Sequence, residues 1–299
     1  MKCRICGREA SIKLETHNIA LCEPDFIEFF KRRVRRFINR YGILKKDDRI
    51  LVAISGGKDS LALWHFLHKE GYITEGLHID IGIEGYSEEA SQYVERFSKK
   101  FGLKVHKIRV KDVMFRGAPE VARILRRPTC SVCGKIKRYI METFAKERGF
   151  DAIATGHNLD DEVGLLLGNL LNWQEGYLAR QGPVLKAEGG FVKKVKPFAG
   201  VLEEEVRIYA TLNNIEHFSK KCPYSKGATL LIYKNIMNQI EENSPGTKIR
   251  FYQGFLRVRE IFKREELQLK PCEKCGYPTT AGVCSVCRMK DKLTAILKS

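Results

Sequence analysis

All ten cysteines of this 299-residue chain fall into three groups, and four of their pairs have the CxxC spacing. The groups are Cys3, Cys6 and Cys22; Cys130, Cys133 and Cys222; and Cys272, Cys275, Cys284 and Cys287. The first residues lead directly into a cysteine motif and not into the apolar run of a signal peptide. Because thiols stay free to bind metals in a reducing cytoplasm, the pattern predicts metal sites and not disulfides.

The two terminal groups predict zinc sites. The C-terminal group is two CxxC knuckles separated by a short turn, which places four thiolates around one tetrahedral ion. The N-terminal group has one knuckle and a single further cysteine, so a fourth ligand must be found. Asp25 lies where the second knuckle would end, whereas His17 offers the commoner imidazole at a less regular spacing. We favour Asp25, although it is also suited to cap the helix that follows.

The middle group has three cysteines and leaves one coordination position open. Its spacing favours equally a zinc site that lacks one protein ligand and a 4Fe-4S cluster with one exposed iron. A catalytic dithiol is the third alternative.

A phosphate-binding loop follows the first strand of the core. The apolar run at 49–54 leads into SGGKDS at 55–60, and 61–67 continue as an apolar-periodic helix. Glycines let backbone amides approach phosphates, the start of the helix supplies positive potential, and Lys58 adds a cation near a leaving pyrophosphate. The loop differs from the longer Walker A pattern. It predicts a nucleotide site of another type.

Further strands at 73–79, 104–108 and 151–155 alternate with helices at 87–101, 135–148 and 160–171. This alternation predicts the α/β class, with a doubly wound parallel sheet. Ligands of such sheets bind beyond the carboxyl ends of the strands. We therefore expect one ATP site formed by Ala53, Ser55, Gly56, Gly57, Lys58, Asp59, Ser60, His78, Asp80, Gly156, His157, Asp160 and Asp161. Asp160 and Asp161 are candidates to hold magnesium or to orient Lys58, and Asp160 is also suited to cap its helix.

The charge balance favours a polyanionic partner. Lys and Arg number 53 against 36 acidic residues, which gives a formal net charge of +17 and a pI near 9.4. A helix predicted at 26–41 has a dense basic face, which either follows nucleic-acid phosphates or simply faces solvent. The stretch 116–127 predicts a mobile basic loop. No apolar run approaches the roughly 20 residues of a membrane helix, so we expect a cytoplasmic protein without membrane contact.

These motifs resemble a known family, the PP-loop ATP pyrophosphatases, whose mark SGGxDS stands here at 55–60. Three more motifs resemble, in order, the tRNA 2-thiolation enzymes of the TtcA/TtuA group: CSVCGKIKRY at 130–139, GHNLDDE at 156–162 and KKCPYS at 220–225. The paired terminal cysteine modules narrow the resemblance to TtuA-like proteins and the related wobble-uridine thiolases. The resemblance covers nearly the whole chain.

The resemblance implies an enzyme that uses ATP and magnesium to adenylate the C2 carbonyl oxygen of a tRNA uridine and replaces that oxygen with sulfur. It implies a 4Fe-4S cluster on Cys130, Cys133 and Cys222, and catalysis by Lys58, Asp59, Lys137 and Asp161. Lys137 and Arg138 would steady the α-phosphate, unless they form only a solvated basic helix face.

The resemblance also implies partners and a target. The target is uridine 54 in the T loop, with wobble uridine 34 or cytidine 32 as alternatives. The sulfur donor is a ubiquitin-like carrier with a C-terminal thiocarboxylate, and the enzyme is a homodimer. One departure is visible, because family members commonly have histidine where this chain has Asp25.

We expect five segments: an N-terminal zinc finger at 1–28, a basic linker helix at 29–48, the PP-loop catalytic domain at 49–225, a helical extension at 226–270 and a C-terminal zinc finger at 271–299. One rival interpretation is an ATP-dependent amidating ligase, for which three clustered cysteines would be superfluous. The other is a zinc-ribbon nucleic-acid-binding module with a vestigial nucleotide fold, and the intact Lys58, Asp59 and Asp161 argue against it.

Overall fold

The N-terminal module is a small antiparallel hairpin followed by a long helix. In the computed structural model, which describes residues 1–225, 229–262 and 268–298, strands β1 (Ile12–Leu14) and β2 (Ile19–Leu21) pair and lead into helix α1 (Glu23–Arg40). Phe26, Phe30, Val34 and Ile38 recur every four residues on α1 and are buried. This stripe attaches the module to the core.

The core is a six-stranded sheet with the strand order β5-β4-β3-β6-β8-β7. Its strands are β3 (Arg49–Ile54), β4 (Ile73–Asp80), β5 (Val105–Arg109), β6 (Ala152–Ala154), β7 (Val184–Leu185) and β8 (Lys193–Val195). The helices of this region are α2 (Lys58–Lys69), α3 (Tyr86–Phe101), α4 (Val110–Met114), α5 (Ala118–Ile124), α6 (Thr129–Glu147), α7 (Leu159–Leu171), α8 (Glu175–Leu178) and α9 (Glu203–Leu212).

The predicted doubly wound parallel sheet is confirmed, with one addition at its edge. Strands β3, β4, β5, β6 and β8 run parallel, and only the two-residue β7 pairs antiparallel, with β8. The central β3 is apolar and covered on both faces, as parallel strands require. Strands as short as β7 and β8 carry too few residues to show an alternating pattern in the sequence.

The predicted mobile loop at 116–127 is wrong, because α5 occupies most of it. Ala118, Val121 and Ala122 are buried at the i, i+3 and i+4 positions of one helix face, and α5 packs on α6. Pro119 lies in the first turn, where its missing N–H has no cost. The basic side chains between these apolar positions concealed the helical period.

The C-terminal part adds two helices and a second small module. Helix α10 (Thr229–Asn243) packs along α7, and α11 (Thr247–Val258) follows it. The module comprises β9 (Lys270–Pro271), β10 (Pro278–Thr279) and α12 (Ser285–Lys298), and its apolar residues join those of α5 and α6 in one buried cluster. None of the described helices is long and apolar enough to cross a membrane.

Candidate active site

The loop between β3 and α2 is held in shape by its own serines. Gly56 has a φ of +88°, and a Cβ there would stand 2.9 Å from the backbone oxygen of Ala90, so glycine is required. Ser60 Oγ donates to the Gly57 carbonyl at 2.9 Å and accepts from the Ser55 N–H at 3.2 Å. Helix α2 begins at Lys58, directly after this turn. A rigid loop at a helix start is suited to bind phosphate.

A cavity of about 520 Å³ opens at the carboxyl ends of β3 and β4. Ten of the predicted site residues line it, namely Ala53, Ser55, Asp59, Ser60, His78, Asp80, Lys137, Gly156, His157 and Asp161. Cys130, Cys133 and Cys222 line the same cavity. One space therefore joins the loop to the middle cysteine group, although the group is distant from the loop in sequence.

The three cysteines reach this cavity from two segments. Cys130 and Cys133 lie in the first turns of α6, while Cys222 precedes a short 3₁₀ helix, Pro223–Ser225. Cys130 Sγ donates to the carbonyl of Tyr224 at 3.2 Å, which links the two segments. Burial raises the pKa of the Cys133 thiol, against the nearby Lys137 cation, which lowers it.

These thiols are spaced more widely than those of the two terminal cysteine groups. In the described part of the chain, the groups whose ligand atoms all lie within 4.8 Å of one another are the two terminal ones, and the middle group is not among them. One tetrahedral zinc ion requires thiolate sulfurs about 3.8 Å apart, given Zn–S bonds of about 2.3 Å. In a 4Fe-4S cluster each thiolate binds a different iron, so the sulfurs stand further apart.

Beside the loop lies a group of five charged side chains, here called the charge cluster: Lys58, Asp59, Asp161, Glu203 and Lys234. Lys58 Nζ contacts Asp59 Oδ1 at 2.7 Å and Glu203 Oε1 at 3.6 Å. Lys234 Nζ contacts Asp161 Oδ1 at 2.8 Å and Glu203 Oε2 at 3.0 Å. Burial raises the pKa of Asp59; burial of Glu203 acts in the same sense, but the Lys234 cation outweighs it and lowers that pKa. The two lysines thus bridge three carboxylates at the cavity wall.

Asn158 fixes the orientation of both aspartates. Asn158 Oδ1 accepts a hydrogen bond from the backbone N–H of Asp161, and the backbone N–H of Asn158 donates to Asp161 Oδ2, both at 3.2 Å. The two bonds form a capping box at the start of α7. Asn158 Nδ2 also donates to Asp59 Oδ1 at 3.2 Å. Asn158 lies in the segment expected at the site but was given no role there, and the Glu203–Lys234 pair was not predicted.

Four predicted site residues do not line the cavity. Gly56, Gly57 and Lys58 adjoin lining residues of the same loop, and Lys58 contacts the lining residue Asp59. Asp160 points elsewhere: its side chain is buried, Oδ1 pairs with Lys248 Nζ at 2.6 Å and Oδ2 accepts from the Glu203 N–H at 2.8 Å. The expected pair of magnesium ligands is therefore not brought together at the cavity. Adjacent residues of a helix point about 100° apart, so only Asp161 faces it.

His78 offers an unpartnered acceptor in the cavity wall. Its Nδ1 lies 2.9 Å from the carbonyl oxygen of Ile54 and therefore carries the proton, while Nε2 is buried and finds no partner among the described residues. The side chain is 3% exposed, and burial lowers its pKa, so the ring is neutral and Nε2 accepts. His157 lies nearby with Nδ1 2.8 Å from Thr155 Oγ1.

The N-terminal cysteines gather around Asp25 and not around His17. Asp25 Oδ2 lies 3.0 Å from Cys3 Sγ and 3.1 Å from Cys22 Sγ, and the three cysteines and Asp25 form one group within 4.8 Å. Hydrogen bonds from the Cys6, Cys3 and Cys22 thiols lower the pKa of Asp25 to about 2. The His17 Nε2 instead lies 2.9 Å from Glu205 Oε1.

The four C-terminal cysteines also form one compact group. Burial would raise the pKa of the Cys272 thiol, but backbone N–H groups, including that of Cys284 at 3.2 Å, lower it to about 6. A thiolate so stabilised is ready to bind a metal ion.

Two family descriptions match this chain. Residues 27–222 match the PP-loop domain, and residues 2–27 match the N-terminal LIM domain of the 2-thiouridine synthetase TtuA.

Relatives match over nearly the whole length. A tRNA-5-methyluridine(54) 2-sulfurtransferase from Pyrococcus horikoshii is 48% identical and covers 96% of this chain and 93% of its own. One from Thermotoga maritima is 45% identical, with coverage of 98% and 97%. Among solved structures, a U34-tRNA thiolase NcsA from Methanococcus maripaludis with its [4Fe-4S] cluster matches with a TM-score of 0.85 and 29% identity, covering 98% of this chain and 96% of that one.

Proposed function

This chain belongs to the PP-loop family and, within it, to the TtuA-like tRNA 2-sulfurtransferases, and from that premise we propose that it thiolates C2 of uridine 54. It is an ATP-dependent tRNA sulfurtransferase; the position, the residue roles, the metals and the sulfur donor are the proposal. The observation that carries the proposal is the single cavity lined both by the SGGKDS loop and by the three middle cysteines. Activation by ATP and delivery of sulfur require such a shared space.

The loop and the charge cluster serve the ATP step. The loop amides and Lys58 hold the triphosphate, while Asp59 and Asp161 supply carboxylate oxygens for magnesium. The uridine O2 attacks the α-phosphate, and pyrophosphate leaves against Lys58 and the start of α2. Lys137 lines the cavity one turn beyond Cys133 and stabilises the charge on the α-phosphate. The result is a uridine whose O2 has become part of a good leaving group.

Sulfide then forms a bond to C2, and the C2–O bond breaks as AMP leaves with the former uridine oxygen. Cys130, Cys133 and Cys222 would hold a 4Fe-4S cluster, which would supply a binding position for sulfide beside the activated base. Cys130 is exposed to solvent and Cys133 is more buried, and both line the cavity. The three side chains thus fix where sulfur meets the activated carbon.

The terminal groups are proposed as structural zinc sites. Cys3, Cys6, Cys22 and Asp25 hold one ion, and the four C-terminal cysteines hold the other. Asp25 replaces the histidine that is common at this place and still offers an oxygen ligand. Each module then packs on the core through its own buried apolar cluster.

We also infer two protein partners. The donor of sulfide is a ubiquitin-like carrier with a C-terminal thiocarboxylate, and the enzyme is a homodimer. The apolar side chains of Ile232, Ile236 and Ile240 follow α10 at four-residue spacing and are exposed by 38–55%, and Trp173 beside α7 is 75% exposed. Exposed apolar patches of this kind mark protein interfaces. Sedimentation velocity of the wild type and of Ile236→Glu tests the dimer: a dimer that the charge converts to a monomer supports it, and a monomeric wild type contradicts it.

The function is tested by thiolation in vitro. Protein purified without oxygen is incubated with tRNA transcript, ATP and sulfide, and the nucleosides are mapped by mass spectrometry. One 2-thiouridine at position 54, lost in Asp59→Ala and Cys222→Ala, supports the proposal. Sulfur at position 34 or 32 would show a different target nucleotide. ATP-dependent amide formation without sulfur incorporation would show that the enzyme is an amidating ligase.

A further inference from the structure

A second cavity, of about 350 Å³, lies between the catalytic core and the C-terminal cysteine module. Its walls come from the end of α5, from α6 and from α12. Four of its seven lining residues are cations and none is acidic; the lining residues are Leu125, Arg127, Lys135, Ser285, Arg288, Met289 and Lys292, here called the basic pocket.

The cations of the basic pocket have no carboxylate partners. Within 1–225, 229–262 and 268–298, no ion pair involves Arg127, Lys135, Arg288 or Lys292, whereas cations nearby are paired. In the same module Lys274 Nζ contacts Asp291 Oδ1 at 2.7 Å, and ahead of α5 Arg116 Nε contacts Glu120 Oε1 at 3.2 Å. Four unpaired cations around one concavity repel one another, so an anion bound there relieves that repulsion.

The pocket has a firm apolar floor. Met289 is 2% exposed and belongs to the buried cluster that joins α12 to α5 and α6, and Leu125 packs against that cluster. The rings of Tyr139 and Tyr277, 5.1 Å apart, add a contact between α6 and the module. The cations are therefore presented by two packed units and not by a free arm.

Its position relative to the active site is set by α6. Cys130, Cys133 and Lys137 face the cavity with the nucleotide loop, whereas Lys135 of the same helix faces the basic pocket. Lys135 follows Cys133 by two residues, which is roughly 200° around a helix, and a helix with its side chains is about 10–12 Å wide. A ligand in the basic pocket would thus lie about one helix width from the cysteines, close enough for one polynucleotide strand to reach both.

We propose that the basic pocket binds backbone phosphate groups of the tRNA strand a few nucleotides from the base that enters the active site. This rests on the proposed function, since it requires tRNA as substrate. Arg127 and Arg288 offer planar guanidinium forks that match phosphate oxygens, and Lys135 and Lys292 add point charges. Because its two walls belong to different units, a bound phosphate also fixes the C-terminal module against the core while the base is held.

The test compares two double variants that lose the same charge. Arg288→Ala/Lys292→Ala removes two exposed cations of the pocket on α12. Lys45→Ala/Lys69→Ala removes two exposed lysines outside the pocket, one shortly before β3 and one at the end of α2. Zinc content and melting temperature check that each variant folds. Affinity for tRNA is measured by filter binding from 0.05 to 0.5 M salt (roughly the range where counterion release dominates), followed by KM and kcat for thiolation.

The expected result is specific to the pocket variant. In a plot of log affinity against log salt concentration, each phosphate contact to a single strand contributes about 0.7 to the slope. Loss of two contacts therefore lowers the slope by about 1.4, which, extrapolated from about 1 M salt, weakens tRNA binding roughly 14-fold at about 0.15 M salt. KM for tRNA rises accordingly, while kcat and tRNA-independent ATP binding stay unchanged, and the lysine control behaves as wild type. The double variant Arg288→Lys/Lys292→Arg, which keeps both charges, should retain most of the wild-type affinity for tRNA.

Other outcomes overturn the inference. Equal weakening in both double variants would show a general charge effect and no phosphate site. Unchanged tRNA affinity with slower sulfur transfer from the protein carrier alone would assign the pocket to that carrier. A wild type that neither binds nor thiolates tRNA would instead refute the proposed function, which the same titration reveals before any variant is compared.

Discussion

Replacement of Lys234 by methionine removes the cation that joins Asp161 to Glu203 and keeps the length of the side chain. Lys234 is 15% exposed and makes two ion pairs, at 2.8 and 3.0 Å. The variant leaves Asp59, Asp161 and Glu203 with Lys58 as their sole counter-charge in the cluster. We expect lower stability and slower ATP-dependent activation of the uridine, because Asp161, which lines the cavity, loses its ion pair with Lys234.

The magnitude follows from the two distances and from exposure. At an effective dielectric constant of about 20, unit charges 2.8–3.0 Å apart attract by roughly 6 kcal/mol. Desolvation offsets most of that, and removal of one partner of a buried pair costs about 3–5 kcal/mol. Because the Glu203 side chain is 43% exposed and that of Asp161 is 24% exposed, we expect a loss of about 2–3 kcal/mol in the free energy of unfolding.

The loss depends on pH through Glu203. In the wild type its pKa lies below the ordinary 4.5, so its ionised form stabilises the fold above that pH, and this stability is lost as pH falls through the lower folded pKa. Without Lys234 the burial of Glu203 raises its pKa, and its ionised form destabilises the fold at neutral pH. The variant is therefore expected to differ most from wild type near neutral pH and least at acidic pH, below the lowered folded pKa of Glu203.

The assay is urea unfolding of wild type, Lys234→Met and Lys234→Arg at both pH values, with AMP formation in the presence of tRNA as the activity readout. Lys234→Arg keeps the charge and should lose less than half as much stability. The reasoning is refuted if Lys234→Met unfolds within about 0.5 kcal/mol of wild type at neutral pH, which is the range of a neutral surface change. A stability loss that is the same at both pH values would also contradict it.

Three more outcomes follow from single contacts. Asp25→Ala should lower zinc from two ions to about one per chain, whereas His17→Ala should keep both, as metal analysis will show. Gly164→Ala should cost about 1–2 kcal/mol in urea unfolding and slow turnover, because its Cβ would stand 2.8 Å from Lys234 Cγ; Gly176, with nothing within 4 Å, is the matched control. His78→Phe should raise KM for ATP roughly tenfold through loss of one buried acceptor, and the wild-type KM should stay flat from neutral to mildly acidic pH because burial lowers the pKa of His78.

Much of the site was predictable because its chemistry is local in sequence. The residue types and spacing of the loop at 55–60 and of the CxxC pairs indicate phosphate and metal binding. The strand before the loop is apolar after its first residue, which predicts a buried strand. The sharing of one cavity by the loop and the cysteines was implied only by the family resemblance, because Cys130 and Cys133 lie in α6 and not at the end of a strand.

The charge cluster was not predictable from such patterns. Lys234 meets Asp161 across 73 residues and Glu203 across 31, and only the packing of α10 on α7 brings them together. That packing depends on Gly164 and Gly168, where a Cβ would collide with Lys234 and Tyr233. Two glycines four apart on a predicted helix are a signal of close helix approach that the sequence did contain. The place of Asp160 was not predictable either, because helix geometry separates Asp160 from Asp161 by about 100° but does not say which of them faces the cavity.

The central claim is that ATP activates the uridine oxygen itself, and isotope tracing tests it most directly. A tRNA carrying ¹⁸O at C2 of uridine 54 is thiolated with ATP and sulfide, and AMP and pyrophosphate are analysed by mass spectrometry. The account predicts one ¹⁸O atom in AMP for each 2-thiouridine formed and none in pyrophosphate. Label in pyrophosphate or in water, with unlabelled AMP, would contradict it.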